Sequence, residues 1–388
     1  MRNPETPITR RSALLAGAAV VAGVGLSGLS SPAEAATRGS GAPPRLDKGH
    51  KPVKLSPTQQ AGQRVIFSYP GLTPPASLLA QISAGEVGGV IFFGENITSL
   101  AQISTVVRQL KQAQAQSPVT APLLLMTDQE GGIVRRLPGE PRLSAKQVGA
   151  SANPVLAAFN AGTGAGKNLA GVGMNVNLAP VLDVFRQPGN FDDEFGRSFS
   201  SDPVVAALCG AAFIVGQQRI GVAATAKHFP GLGAATRSQN TDLVTVILDQ
   251  SLPEIRDVDE LPYPAAIASG VRLVMTSWAV YPALDPLLPA GFSPRIVQGE
   301  LRHRLGFRGV TITDALEAGS LASFGTSAQR GVLAARAGMD VLLCSGRDLT
   351  QGQSTVAELA EALRDHRLNP GESKQALSRV LALRNCLA

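Results

Sequence analysis

Cysteine is nearly missing from this chain. Cys209, Cys344 and Cys386 lie far apart and form no Cys-x-x-Cys pair, which argues against a cysteine metal site or a dithiol redox motif and permits at most one disulfide. Stability must then come mainly from core burial, for which 44% hydrophobic residues are ample. No Gly-x-Gly-x-x-Gly or Walker-type loop follows the first apolar strand candidate, so the phosphate cradle of an open nucleotide-binding sheet is lacking. Clustered basic charge is lacking from most of the chain as well. Of the formal +6, residues 1–35 hold +1, residues 36–54 hold +4 and the remaining body only +1. Phosphate contacts require grouped Lys and Arg, so this distribution argues against nucleic acid as the main partner.

The first 54 residues stand apart by composition. Thr9-Arg10-Arg11-Ser12 precedes an Ala/Gly/Val-rich run over 13–29, then Ala33-Glu34-Ala35. This is the layout of a signal peptide over 1–35, and the paired arginines suggest the twin-arginine export route. The run is interrupted by Gly and Ser and is shorter than the roughly 20 strongly apolar residues of a membrane span. With no cysteine nearby, a lipobox anchor is excluded, so the chain is expected to be exported, either extracellular or associated with the cell envelope. Residues 36–54 are basic and contain Pro and Gly, the composition of a flexible tether. Attraction to an anionic envelope and simple solubilisation are both compatible with its charge.

From residue 55 to 388 short apolar runs alternate with longer amphipathic stretches. The runs 64–69, 89–93, 122–127, 174–178, 223–229, 272–277, 309–313 and 339–344 read as strands. The stretches 100–115, 154–170, 202–218, 259–269, 294–305 and 327–337 read as helices, with closing helices at 349–364 and 372–385. Near-continuously apolar strands, each followed by a helix, belong to a parallel sheet covered on its outer face. Eight such units predict an α/β fold, a single (β/α)8 barrel with extra C-terminal helices.

Barrel enzymes place their active sites at the C-terminal ends of the strands. Those ends carry Asp128 and Glu130, Asp183, Lys227 and His228, Ser277 and Trp278, and Asp314. Carboxylates beside cations in one cleft suit a polyhydroxylated ligand, with a sugar the natural candidate. Neither a cofactor nor a metal is called for.

Five stretches in order resemble glycoside hydrolase family 3, above all its single-barrel bacterial β-N-acetylglucosaminidases. They are Asp128-Gln129-Glu130-Gly131-Gly132 running on to Arg135-Arg136-Leu137, Asn177 to Val184, Gly196-Arg197-Ser198-Phe199, Lys227-His228-Phe229-Pro230-Gly231, and Ile312-Thr313-Asp314-Ala315-Leu316. The resemblance implies that Asp314 is the nucleophile of a retaining glycosidase. It implies that Asp128 accepts hydrogen bonds from the sugar hydroxyls, while Arg136, Arg197, Lys227 and His228 donate to the same sugar. A surface ion pair is the competing account of Arg136.

The chain departs from the family where the proton is moved. The relatives continue Lys-His with a loop holding an Asp-x-His pair whose histidine is the general acid and base; here Leu232, Ala234, Ser238 and Asn240 stand at the corresponding positions. An asparagine amide cannot exchange a proton near neutral pH. His50, His303 and His366 are poorly placed, which leaves Asp242 as the nearest titratable residue on the loop. Asp242 is therefore the expected acid/base, against an alternative in which it only shapes the turn 240–242. Where relatives usually carry a histidine, the sixth strand ends in Ser277-Trp278, and Trp278 is open to stacking on a sugar or to packing. The expected activity is hydrolysis of terminal β-linked N-acetylglucosamine from cell-wall or related glycans. The alternatives are a β-glucosidase or other β-hexosidase of the same family, and an envelope-glycan-binding barrel with little turnover.

Overall fold

The computed structural model describes residues 55–387; the expected signal peptide and tether lie outside the described residues. In chain order the strands are β1 Val65–Phe67, β2 Gly89–Ile91, β3 Leu124–Thr127, β4 Gln129–Gly131, β5 Val134–Arg135, β6 Val176–Asn177, β7 Ala223–Phe229, β8 Leu273–Thr276, β9 Val280–Tyr281, β10 Asp285–Pro289, β11 Val310–Ala315 and β12 Val341–Leu343. Eight of them close into a barrel in the order β1-β12-β11-β8-β7-β6-β3-β2. Every pairing is parallel, and Val65 opposite Leu342 seals the ring. The eight expected strands are these eight.

Alternation along each strand explains why the runs read as continuously apolar. Ile66, Ile91, Val341 and Leu343 fill the lumen, whereas Val65, Phe67, Val90 and Leu342 face the helix layer. Both faces are buried, so both are mainly apolar. The helices follow the expected stretches, with two differences: the stretch 294–305 is a π-helix over Arg295–Arg304, and the other lies at 259–269. The stretch read as a helix over 259–269 is α-helical only over Pro262–Ala268, preceded by a π-turn at Ile255–Asp259. Pro262 and Pro264 have no N–H to give to an α ladder, so the preceding turn does not run into it. Two hairpins were not anticipated: β4 pairs with β5, and β9 with β10.

One end of the barrel is stoppered. In the C-terminal helix Pro370–Cys386, Val380 and Leu383 plug the lumen. Buried Arg384 donates to the carbonyls of Ala121 and Pro122, each at 2.7 Å, and Arg379 pairs with buried Asp340 at 2.8 Å. Pro122 lies two residues before β3 and Asp340 immediately before β12, so this is the N-terminal end. All three cysteines are free thiols. Among the described residues no helix is long and apolar enough to cross a membrane.

Candidate active site

A cavity of 490 Å3 opens at the other end, and all seven site residues expected from the sequence line it: Asp128, Arg136, Arg197, Lys227, His228, Asp242 and Asp314. Ile91, Leu178, Met275 and Leu343 line it too. Two strand irregularities aim the polar groups. Between Ala226 and Phe229, β7 holds one residue more than its partner β8, and between Ile312 and Ala315, β11 holds one more than β12. An extra residue breaks the in-out alternation. Adjacent Lys227 and His228 thus both reach the cavity, and Asp314 sits inside the irregular stretch of β11.

On the side formed by β3, β4, β6 and β7, charges are matched. Lys227 Nζ donates to Asp128 Oδ1 at 2.9 Å and pairs with Glu130 Oε1 at 2.8 Å. Arg197 grips both oxygens of Glu130, at 2.9 and 3.0 Å. Burial alone would raise the Glu130 carboxyl, but the charges on Arg197 and Lys227 overcome it and hold the group at about 2. Burial likewise opposes the charge on Lys227, and the Asp128 and Glu130 carboxylates outweigh it, so the ammonium is raised. His228 Nδ1 lies 2.7 Å from Asp183 Oδ2, while Asp183 Oδ1 accepts the backbone N–H groups of His228 and Leu232 at 3.2 and 2.7 Å. Against its burial, the imidazole is raised by the Asp183 charge and by its hydrogen bond to Asp183.

Asp183, Asp192 and His228 bring three ligand atoms within 4.8 Å of one another. The Asp183 lone pairs are committed to His228 and Leu232, and Arg197 Nη1 stands 3.5 Å from Asp192, a charge contact too long for a good hydrogen bond. Both Asp192 oxygens are buried without a hydrogen-bond partner. Burial first and the Asp183 charge second push Asp192 up to about 7.

The side formed by β11 and the loop after β7 is different. Asp314 Oδ1 accepts only the N–H of Ala315, at 2.7 Å. The Asp242 N–H donates to Asn240 Oδ1 at 2.8 Å, so the asparagine at the relatives' histidine position shapes the turn and leaves the Asp242 carboxyl to the cavity. Although Asp242 is exposed as a residue, the protein crowding its carboxyl and, next, the charge on Asp314 raise it to about 6. Of the described histidines only His228 lines the cavity; His303 and His366 are exposed.

Residues 65–383 match the glycosyl hydrolase family 3 N-terminal domain. The chain belongs to glycosyl hydrolase family 3. This family 3 hydrolase is 52% identical over 331 residues to an uncharacterized secreted glycosyl hydrolase of Arthroderma benhamiae, covering 85% of this chain and 93% of that one. Among solved structures, a β-N-acetylhexosaminidase from Beutenbergia cavernae superposes with a TM-score of 0.77 at 34% identity, over 86% of this chain and 99% of the other. A family 3 β-N-acetylglucosaminidase from Paenibacillus gives 0.81 at 32%, over 86% of this chain but only 63% of its own longer chain. The protein is a glycoside hydrolase of β-hexosaminidase-like type.

Two open points about this family 3 hydrolase close against the sugar-stacking and surface-pair alternatives. Trp278 is buried, packs on Phe292 with ring centroids 4.7 Å apart, and donates Nε1–H to the Ala315 carbonyl at 2.8 Å. It packs, and it braces the residue after Asp314. Arg136 makes no ion pair among the described residues, and its Nε is buried without a partner. Arg136 thus lines the cavity without a protein ion pair among the described residues. Ser277 Oγ lies 2.9 Å from the Tyr281 hydroxyl, which donates to the Gly231 carbonyl at 2.8 Å and so supports the loop after β7.

Sequence reasoning missed Asp192, Glu317 and Arg347. Glu317 and Arg347 line the cavity, and Glu317 is held by Ser345 Oγ at 2.6 Å and Gln351 Nε2 at 2.8 Å. Glu317 lies three residues after Asp314, a spacing that was there to be read; nothing in the acidic run 192–194 marks Asp192 as the buried member beside Arg197.

Proposed function

We propose that the protein is an exported retaining β-glycosidase that releases terminal β-linked N-acetylglucosamine, or a close hexosamine relative, from cell-wall or related glycans. The observation that carries this reading is a pair of carboxyls in one cavity with opposite tasks. Asp314 is poised as the nucleophile that attacks the anomeric carbon. Asp242, raised to about 6 by crowding and by Asp314, holds a proton for the leaving oxygen and then takes one from the attacking water. A carboxyl whose surroundings favour its protonated form, sharing a cavity with a second carboxyl, is the arrangement an acid and a nucleophile require. Asp128 accepts from sugar hydroxyls, and Arg136, Arg197, Lys227 and His228 donate around the same ring, with the Lys227 network already assembled before a sugar arrives.

The names of the relatives, β-N-acetylhexosaminidase and secreted glycosyl hydrolase, support the hexosamine and the export. A panel of 4-nitrophenyl β-glycosides assayed on the mature protein tests the substrate. The N-acetylglucosaminide is expected to turn over at least about tenfold faster than the glucoside, a discrimination of about 1.4 kcal/mol in the transition state. A faster glucoside would replace hexosaminidase with β-glucosidase, and no turnover of any member would favour the glycan-binding barrel.

A further inference from the structure

The loop carrying Asp242 is stapled to the loop that follows the nucleophile strand. Gly319 N–H donates to the Asp242 carbonyl at 2.8 Å, Ser320 N–H donates to the Thr241 carbonyl at 3.2 Å, and Thr245 Oγ1 donates to the Ser320 carbonyl at 3.3 Å. Gly319 and Ser320 stand only five and six residues beyond Asp314. The approach is so close that a Cβ on Gly319 would lie 2.5 Å from the Leu243 carbonyl oxygen and 2.9 Å from that of Asp242. Both obstacles are backbone atoms, which cannot swing aside as a side chain can. Gly319 is not among the glycines with positive φ, so an alanine backbone is permitted there. The missing Cβ serves the contact, not the turn.

We propose that Gly319 is a positioning residue: by seating the nucleophile's own loop directly against residues 241–243, it sets how far the Asp242 carboxyl stands from Asp314. This rests on reading Asp242 as the acid/base and Asp314 as the nucleophile. A retaining glycosidase works with its two carboxyls about 5–5.5 Å apart, and an acid carried on an untethered loop would visit that spacing only part of the time. Here the staple fixes one side of the loop. On the other side, Arg237 forks onto Glu194 at 2.8 and 2.9 Å.

Displacing the loop has an electrostatic consequence as well as a geometric one. The charged groups facing Asp242 are Asp314 and Glu317, which raise it, and Arg197 and His228, which lower it. Moving the carboxyl outward relieves the crowding and weakens the Asp314 interaction first, so the proton is lost at lower pH.

The test compares Gly319→Ala with Gly299→Ala, a control position where an added Cβ meets nothing within 4 Å, and with Asp242→Asn. Each is assayed on 2,4-dinitrophenyl and phenyl β-N-acetylglucosaminides across pH. Because acid assistance is worth about 10²- to 10⁴-fold when fully engaged, Gly319→Ala is expected to lose about tenfold or more on the phenyl substrate. On the dinitrophenyl substrate, whose leaving group needs little help, it should lose less than about threefold, and the basic limb of kcat/KM should move to lower pH. Equal loss on both substrates with an unmoved basic limb would overturn the positioning role, as would behaviour matching Gly299→Ala. If Asp242→Asn loses the phenyl substrate while Gly319→Ala keeps it, the positioning role falls alone. If Asp242→Asn keeps the phenyl substrate, the acid/base assignment falls with it. Should Gly319→Ala fail to fold, Ser320→Pro, which removes the N–H given to Thr241, carries the test under the same criteria.

Discussion

The two sides of the cavity solve opposite problems with similar residues. On the β3–β7 side Asp128, Glu130 and Asp183 each face a cation, and the outcome is a locked lattice in which Glu130 is held at about 2. On the β11 side Asp242, Asp314 and Glu317 face one another with no cation paired to any of them within 4 Å among the described residues, and Asp242 rises to about 6. Pairing Glu130 with two cations moves its titration below the working range and fixes its geometry, whereas Asp192, beside Arg197 but without a hydrogen-bond partner, is pushed up to about 7. Leaving like charges together keeps a proton available. On the proposed assignment, binding and proton transfer are separated by electrostatic environment rather than by residue type.

The comparison breaks most visibly at Asp242. Since the acid must hold its proton, kcat/KM should fall as the pH rises through about 6, giving the basic limb of the profile. Asp242→Asn should abolish this basic limb and lower kcat/KM for poor leaving groups by about 10²-fold or more. A retained limb would assign the proton to another group. A smaller effect on rate but a larger one on folding is expected on the matched side. Lys227→Met leaves Asp128 and Glu130 without their shared cation, and breaking a buried pair from one side costs about 3 kcal/mol. The measurement is denaturant unfolding at pH 7 and again at pH 4. Unpaired carboxylates take up protons more easily, so the deficit should shrink as the pH falls, whereas the same deficit at both would show that charge was not the cause.

The barrel was legible because each strand is buried on both faces, which favours short apolar runs such as 65–67 and 341–343. The hairpins β4–β5 and β9–β10 were not, since Gln129 to Arg135 folds through polar residues whose pairing depends on side-chain contacts: Gln129 Oε1 accepts the N–H groups of Arg136 and Leu137. The cations and carboxylates at strand ends could be gathered from sequence because barrel topology brings those ends together. What sequence could not supply was their pairing. That Lys227 answers Asp128 and Glu130 and that Trp278 braces β11 both rest on contacts between segments far apart in the chain. Asp192 escaped notice because its burial follows from the fold of the 183–197 loop and not from any local pattern.

The most direct test of the account is covalent trapping. A 5-fluoro N-acetylglucosaminyl fluoride, which forms the glycosyl-enzyme faster than water can clear it, should inactivate the protein with time, and mass spectrometry of the digest should find the sugar on the peptide carrying Asp314. A sugar attached to Asp242 or Glu317, or full occupancy of the cavity with no adduct at all, would contradict the assignment of Asp314 as nucleophile.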